Sequence, residues 1–434
     1  MQPSTGAALD EPREDAKLFR LPGFAAYWTS STVSGFGSSI TAVAIPVLVV
    51  TTLAATPVEV GIINAVQSLP YLLFGLVVGV LVDRRRRKPT LVVTSVASCL
   101  LLLVVPALWI TDTLSLWALA VLLFLFGVVG LMNAASSQSF LPRLVPRSYL
   151  LVANARLDQS ATVAQSAGPA IGGALVSVLT APIAVLVDAV SYGIEAVLVG
   201  RIRIDEPRRV TKRSTRHLLH DIRDGVTFTY RHRMLAPLAW STHVWFLANA
   251  IAFTVFAPFA LRSLGVNAFG YGLALACAGV GGVVGASLAT RVGNRIGAGK
   301  AVIAGRAVMP IAWIVVAVTP PSTTSGIGVT ICVVAVGEFI YGFSMGIENA
   351  NEMGYWQAVM PDEMQGRINA TRRSANRTMF LIGSLAGGAL ATWLGYRPAL
   401  WIAVGIFLIA VSIVGLSPFA GARHDDEHAR PHTG

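Results

Sequence analysis

The chain has 434 residues, of which 54% are apolar and only 13% charged, and its mean hydropathy is +0.66. Soluble proteins carry about 25% charged residues, so half of the expected solvated surface is missing, which excludes a soluble enzyme, a nucleic-acid binder and a disordered scaffold. The net charge of +11 is therefore a membrane-surface property, and the long apolar runs predict an all-α polytopic membrane protein.

Residues 1–23 read as a polar segment of mixed charge, without the apolar core of a secretory leader. A bilayer core about 30 Å thick takes about 20 apolar residues as helix. Cutting the apolar runs at turns and charges predicts an N-terminal bundle over 24–200, with spans at 24–52, 58–82, 89–110, 115–138, 150–178 and 181–200. The first span carries Ser34, Ser38, Ser39 and Thr41, the second Gln67, and the fourth Asn133 and Gln138. The second span ends in GVLVDRRRRK, residues 79–88. Asp83 closes a membrane helix there, where a carboxylate needs cationic partners or helix N-terminal amides. In the fifth span, Gly168-Pro169-Ala170-Ile171-Gly172-Gly173 joins glycines that admit a neighbouring helix to a proline that permits a bend. Asp188 and Glu195 of the sixth span are seven residues apart and share one helix face.

Residues 201–236 read as a central linker whose second part spaces Leu218, Leu219, Ile222 and Val226 as an amphipathic helix on the cytoplasmic leaflet. A C-terminal bundle follows over 237–418, with spans at 237–262, 268–290, 301–319, 326–350, 368–393 and 398–418, and then a polar tail, 419–434. An ionisable group in hydrocarbon costs at least about 2.5–3.5 kcal/mol, so each is a functional candidate. Glu338 lies near the middle of the tenth span with no basic residue at similar depth, and is read as a proton carrier or substrate contact; Asp188 and Glu195 are further candidates for that role. Glu348 and Glu352 approach the end of the tenth span opposite Arg372, Arg373 and Arg377, an arrangement that predicts ion pairs. Asn249 with Trp245, Phe246, Phe253, Phe256 and Tyr341 completes a set of polar and aromatic residues expected to line a cavity.

Placing both termini in the cytoplasm puts 31 of the 33 lysines and arginines on inner segments or inner helix ends, leaving only Arg262 and Arg397 outside. A shift of 215 residues superposes Gly127 on Gly342, Pro146 on Pro361, Asn154-Ala155 on Asn369-Ala370, and Gly168 and Gly172-Gly173 on Gly383 and Gly387-Gly388. The chain is thus a duplicated six-helix unit. Both copies start on the same side, so they are parallel repeats related by an axis along the membrane normal. In TRVGNRIGAGK, Asn294 and Arg295 align with Asp83 and Arg84. The stretch GNRIGAGKA fails as a phosphate loop, because Asn294 replaces a required glycine and Ala301 lacks the hydroxyl. Neither the seven histidines nor Cys99, Cys277 and Cys332 have metal-site spacing. No cofactor, metal or enzymatic activity is expected.

Two parallel six-helix halves joined by a long loop resemble the major facilitator superfamily over almost the entire chain. The family's loop pattern, Gly-x-Leu-x-Asp-Arg-x-Gly-Arg-Lys, is matched at Gly79, Leu81, Asp83, Arg84, Arg87 and Lys88, with Arg86 in place of the second glycine. The resemblance implies twelve membrane helices in two pseudo-symmetric bundles, and a cytoplasmic gate in which Asp83 meets the start of the eleventh helix near Met364 to Arg373. Gly168, Pro169, Gly172 and Gly173 match the core of the motif associated with antiporters, with Ala164 where a leading glycine is usual. The opening LFRLPGFAAYWTSSTVSGFGSSITAVAIPVLVV and the central DIRDGVTFTYRHRMLAPL are similar to macrolide-efflux proteins and enterobactin-type siderophore exporters. That branch often has an acidic residue where this chain has Ser38 and Ser39.

The resemblance implies a secondary transporter in the inner membrane, functional as a monomer, that exports amphipathic small molecules or drugs in exchange for protons by alternating access. Its partners would be a small-molecule substrate, protons and lipid, not nucleic acid. The alternatives are a dedicated exporter of a siderophore or similar metabolite and, more distantly, a membrane sensor without transport.

Overall fold

The computed structural model describes residues 17–83, 85–204, 218–361 and 363–423. Among these residues the chain forms helices and no strands. Hydrocarbon offers the backbone no hydrogen-bond partner, so an apolar chain of this kind satisfies its amides within helices. The first six spans are Phe24–Val47, Pro57–Asp83, Arg87–Ile110, Leu116–Leu144, Leu150–Leu179 and Ala181–Arg201. The linker helix Leu218–Arg231 leads into Leu235–Pro258, Ala268–Ile296, Ala298–Val318, Ile327–Val359, Gln365–Leu394 and Tyr396–Gly415.

Eleven of these twelve helices are long and apolar enough to cross a bilayer. The exception is the eleventh in order, where Arg367, Arg372, Arg373 and Arg377 crowd the first half. The fourth, eighth and tenth helices run six to nine residues beyond the ends that hydropathy predicts. The tenth, with 33 residues, is about 50 Å long at 1.5 Å per residue. Its polar last turns find partners in neighbouring helices, so the helix continues where the apolar run stops.

The side of the bundle that carries the linker helix is called the linker side below, and the opposite one the far side. Odd-numbered spans run from the linker side to the far side.

The duplication is visible in every major packing pair. The first span packs on the fifth and sixth, the second on the fourth, and the third on the fourth and sixth. The seventh packs on the eleventh and twelfth, the eighth on the tenth, and the ninth on the tenth and twelfth, each the image of its partner six spans earlier. The halves meet through the second span on the eleventh and the fifth on the eighth, again a symmetric pair. Even local irregularities repeat. The first and seventh spans each carry a proline, Pro46 or Pro258, and then widen into a π-helical turn, Leu48–Thr52 or Phe259–Ser263. The turn after the eleventh span places Gly395 at φ 90°, and its image after the fifth places Thr180 at φ 77°. Only glycine adopts that conformation without cost, so the threonine sits there under backbone strain.

The surface facing away from the halves' interface is apolar, with Val93, Ile110, Val121 and Leu408 exposed. Trp117 and Trp393, both exposed, stand at far-side helix ends, where amphipathic rings favour the membrane interface.

The linker helix does not lie free. Thr229 is fully buried, Gly225 abuts the backbone of Arg367, and Asp224 pairs with Arg367 at 3.0 Å. The helix is therefore docked on the eleventh span, with Val226 turned outward and exposed. The side chains of Leu218, Leu219 and Ile222 lie outside the described residues.

Candidate functional site

The halves are sealed on the far side by two glycine crossings that are images of each other. A Cβ on Gly173 would lie 2.6 Å from the Ala268 carbonyl oxygen and 3.1 Å from the Gly272 Cα. A Cβ on Gly388 would lie 2.6 Å from the Pro57 carbonyl oxygen and 3.2 Å from the Gly61 Cα. The preceding glycine of each pair faces its own half, with Gly172 against Ile40 and Gly387 against Ile251, each 3.0 Å from the Cα. Gly168 and Gly383 likewise pack on the first and seventh spans. The Gly168, Pro169, Gly172 and Gly173 set is thus a packing surface, one edge of which touches the other half. Arg262, one of the two far-side arginines, adds a bond from its Nη2 to the Val50 carbonyl at 2.6 Å, across the halves.

Between these crossings lies a central cavity of about 430 Å³, walled mostly by apolar side chains of both halves, with Asn64, Asn249, Tyr271 and Tyr341 as its polar groups. Tyr341 donates to Asn249 Oδ1 at 2.9 Å, and Asn64 donates to Thr254 at 3.1 Å across the halves. A second cavity of about 590 Å³ continues toward the linker side between the second, fourth, seventh and eleventh spans. Gln138, Phe246, Asn376, Arg373 and Arg377 face it. The interface thus closes in backbone contacts at the far side, the central cavity lies between the far halves of the spans, and the second cavity occupies the linker half.

Glu338 is buried to 1% exposure, and neither carboxyl oxygen has a hydrogen-bond partner among the described residues. Its neighbours Tyr271 and Tyr341, both in the cavity wall, lie within electrostatic reach. Asp188 and Glu195 are buried inside the N-terminal bundle and are absent from the walls of the two cavities described above. Asp188 Oδ1 accepts from Ser191 at 3.1 Å, and Gly37 of the first span presses against both residues. Ser34, Ser95 and Asn133 surround Glu195. The N-terminal carboxyls sit among hydroxyls and an amide, whereas Glu338 has Tyr271, Tyr341 and Cys277 within electrostatic reach and no hydrogen-bond partner among the described residues.

The C-terminal bundle holds a buried ionic cluster. Arg306 of the ninth span donates from Nε to Glu348 at 2.7 Å, from Nη2 to Glu352 at 2.8 Å and to Thr242 at 2.7 Å, and from Nη1 to Ser241. Arg372 donates to the other Glu352 oxygen at 2.8 Å and lies over the Trp356 ring at 3.7 Å. Two guanidinium groups thus balance two carboxylates in a region with almost no solvent access. Of the sequence candidates, Glu352 and Arg372 meet directly, and Glu348 meets Arg306. Arg373 and Arg377 point elsewhere, into the linker-side cavity.

By residue type, Arg306 is indistinguishable in the sequence from the basic residues that mark the linker side. The signal that sets it apart is its depth, the sixth residue of the predicted span 301–319 and the ninth of the observed helix. The cluster is tied to the linker helix: His243 contacts Asn376 at 2.7 Å through Nδ1 and the Tyr230 hydroxyl at 2.6 Å through Nε2. Burial pushes the Tyr230 phenol above its ordinary pKa, against a smaller opposite effect of Arg372, so it remains protonated at neutral pH.

Of the loop motif, Gly79, Leu81 and Asp83 fall on the end of the second span, but their side chains, and all of Arg84, lie outside the described residues. Arg87 is buried at the start of the third span, where its Nη1 donates to the Arg85 carbonyl, and Lys88 is half-buried.

The sequence profile described as Major Facilitator Superfamily matches residues 27–380 and, in an overlapping stretch, 244–432. The chain belongs to the major facilitator superfamily. A relative in Bacillus subtilis (strain 168), described as an uncharacterized MFS-type transporter YfiS, is 24% identical over 408 residues, covering 92% of this chain and 94% of its own. The nucleoside transporter NupG superposes with a TM-score of 0.70 at 9% identity, over 91% of this chain and 98% of its own. A bacterial homologue of the iron transporter ferroportin in an inward-facing state superposes with a TM-score of 0.69 at 14% identity, over 91% and 98%. A bacterial homologue of the lysosomal transporter Spinster, inward-facing and unoccupied, gives 0.67 at 14% identity, over 91% and 97%. These likenesses share the fold. As a member of the superfamily the protein is a multi-pass membrane transporter, and the family and fold point away from an enzyme.

Proposed function

We propose that the protein exports amphipathic small molecules from the cytoplasm in exchange for protons. The distribution of lysine and arginine supports a cytoplasmic linker side and cytoplasmic termini. On that orientation the present state is inward-facing, with the seal outward. An aromatic and aliphatic cavity with a few amide and hydroxyl groups suits a solute with an apolar body.

The observation that carries the coupling is Glu338, a buried carboxyl that has no hydrogen-bond partner among the described residues and lies within electrostatic reach of two tyrosines of the cavity wall. An ion held there without a counter-charge costs several kcal/mol, and a bound proton removes that cost. Exchange of this proton during the cycle would link it to the rocking of the halves around the cavity. One proton moving inward across 100 mV releases about 2.3 kcal/mol, enough to drive a steep outward gradient when a pH difference adds to it.

Purified protein in proteoliposomes with an imposed pH gradient tests this reading. Wild type should move an amphipathic dye against its gradient. Glu338→Gln should abolish that movement while retaining counterflow exchange at zero gradient. Undiminished pH-driven flux in Glu338→Gln would remove Glu338 from coupling. Expression in efflux-deficient cells should give resistance to several unrelated toxins; protection against none, with secretion of one metabolite restored, would replace the broad exporter with a dedicated one.

A further inference from the structure

Arg377 is the thirteenth of the thirty residues of the eleventh span, close to the middle of the membrane. Its guanidinium faces Tyr71 of the opposite half, 4.6 Å above the ring centroid, and lines the linker-side cavity. Arg373, one turn nearer the linker side, lines the same cavity and is exposed to it. Among the described residues neither arginine has a carboxylate partner, and the cavity wall contains no aspartate or glutamate. The nearby carboxylates, Glu348 and Glu352, are already held by Arg306 and Arg372. A ring face stabilises a cation only in part, and charges within a membrane face a pathway or a partner. A guanidinium with two free N–H edges is matched by a carboxylate, sulfonate or phosphate, which it grips in bidentate fashion.

We infer that the cavity binds an amphipathic organic anion, whose acidic group docks on Arg377 and Arg373 and whose apolar body reaches past Phe246 toward Phe253 and Phe380. This rests on the exporter reading above and sharpens it by fixing the sign of the solute's charge. On the same orientation, an anion leaving a negative interior and a proton entering move charge in the same direction, so both are driven by the membrane potential.

Three probes with one fluorophore test the sign: dansylglycine (anionic), dansylglycinamide (neutral) and dansylcadaverine (cationic). Their saturable binding is read by energy transfer from the nine tryptophans of the full-length protein in phosphatidylcholine nanodiscs. Dansylglycine should bind at least tenfold tighter than either of the others. Arg377→Gln should lower that affinity about tenfold and leave dansylglycinamide unchanged, whereas Arg377→Lys should lose less than threefold. Arg373→Gln should lose about threefold, reporting a second, outer contact.

Equal affinity for the three probes, preference for the cation, or no saturable dansylglycine binding would overturn the inference. So would an Arg377→Gln effect of equal size on the anion and the amide, which marks a packing role. Competition by added phosphatidylglycerol would assign the anion site to a lipid headgroup; indifference to it would leave a soluble anion. The two readings fail separately. pH-driven flux of the cation alone keeps proton-coupled export and removes the anion site, whereas tight anion binding without pH-driven flux does the reverse.

Discussion

The two halves solve the same packing problem with different chemistry at equivalent positions. By the internal repeat, Ser95 of the third span corresponds to Arg306 of the ninth at the local shift of 211, and Asn133 and Ser137 correspond to Glu348 and Glu352 at 215. In the N-terminal half, Asn133 Nδ2 donates to Ser95 Oγ at 3.2 Å, and Ser137 meets the Tyr27 hydroxyl at 2.6 Å. In the C-terminal half, the image of the first crossing is Arg306 to Glu348 at 2.7 Å, and Glu352, the image of Ser137, is held by Arg306 and Arg372, each at 2.8 Å. One half is joined by neutral hydrogen bonds and the other by a neutralised set of four charges. Neutral bonds exchange easily, whereas a buried ion pair resists separation, because each charge left behind is unpaired. The C-terminal bundle therefore holds the contacts that cost more to break one side of, and the linker helix is docked on it through Asp224–Arg367 and Tyr230–His243.

The largest expected effect separates the halves directly. Arg306→Gln leaves Glu348 and part of Glu352 without their counter-charge and should destabilise the protein by about 3–5 kcal/mol, read as a lowered thermal midpoint in detergent. The next test concerns what the halves share. Gly173→Val and Gly388→Val each overpack one far-side crossing and should cost about 1–3 kcal/mol. The two values should be similar, and hydrogen exchange should speed up at the far ends of the fifth and eighth spans in one case and the second and eleventh in the other. Unequal losses would show that the seal is less symmetric than its geometry. The smallest effect is the counterpart of the first: Ser95→Ala removes a neutral bond and should cost about 1 kcal/mol. A loss as large as that of Arg306→Gln would end the distinction between the two bundles.

Much of this arrangement is legible in the chain. Membrane crossing needs only a run of apolar residues of the right length, so the spans could be read within a few residues at most ends. The exceptions were helix ends such as that of the tenth span, which continues because Asn351 and Glu352 find partners in neighbouring helices. The glycines of the fifth span and their images mark close approach, because nothing else explains pairs of them at a fixed spacing in a lipid-soluble helix. What they approach was not legible: the same four-residue pattern touches the first span with one face and the eighth with another. Charges were the hardest. Glu338 stands out in its span while Arg306 reads as one more topology charge, yet among the described residues the first has no hydrogen-bond partner and the second has four. Arg372 and Arg373 are adjacent in sequence, yet one is locked against Glu352 and the other faces the cavity, because neighbouring residues on a helix point about 100° apart.

By itself, the sequence determined that this is a duplicated, twelve-helix membrane protein with its basic residues gathered on one side. Those properties depend on local hydropathy, helix rise and the repeat, all of which are written along one strand of chain. The tertiary structure alone decided which charges are paired and which, among the described residues, are not. That choice depends on side chains that converge from separate helices, as Arg306 and Ser241 do across 65 residues of sequence, and no local pattern specifies the angle at which those helices meet.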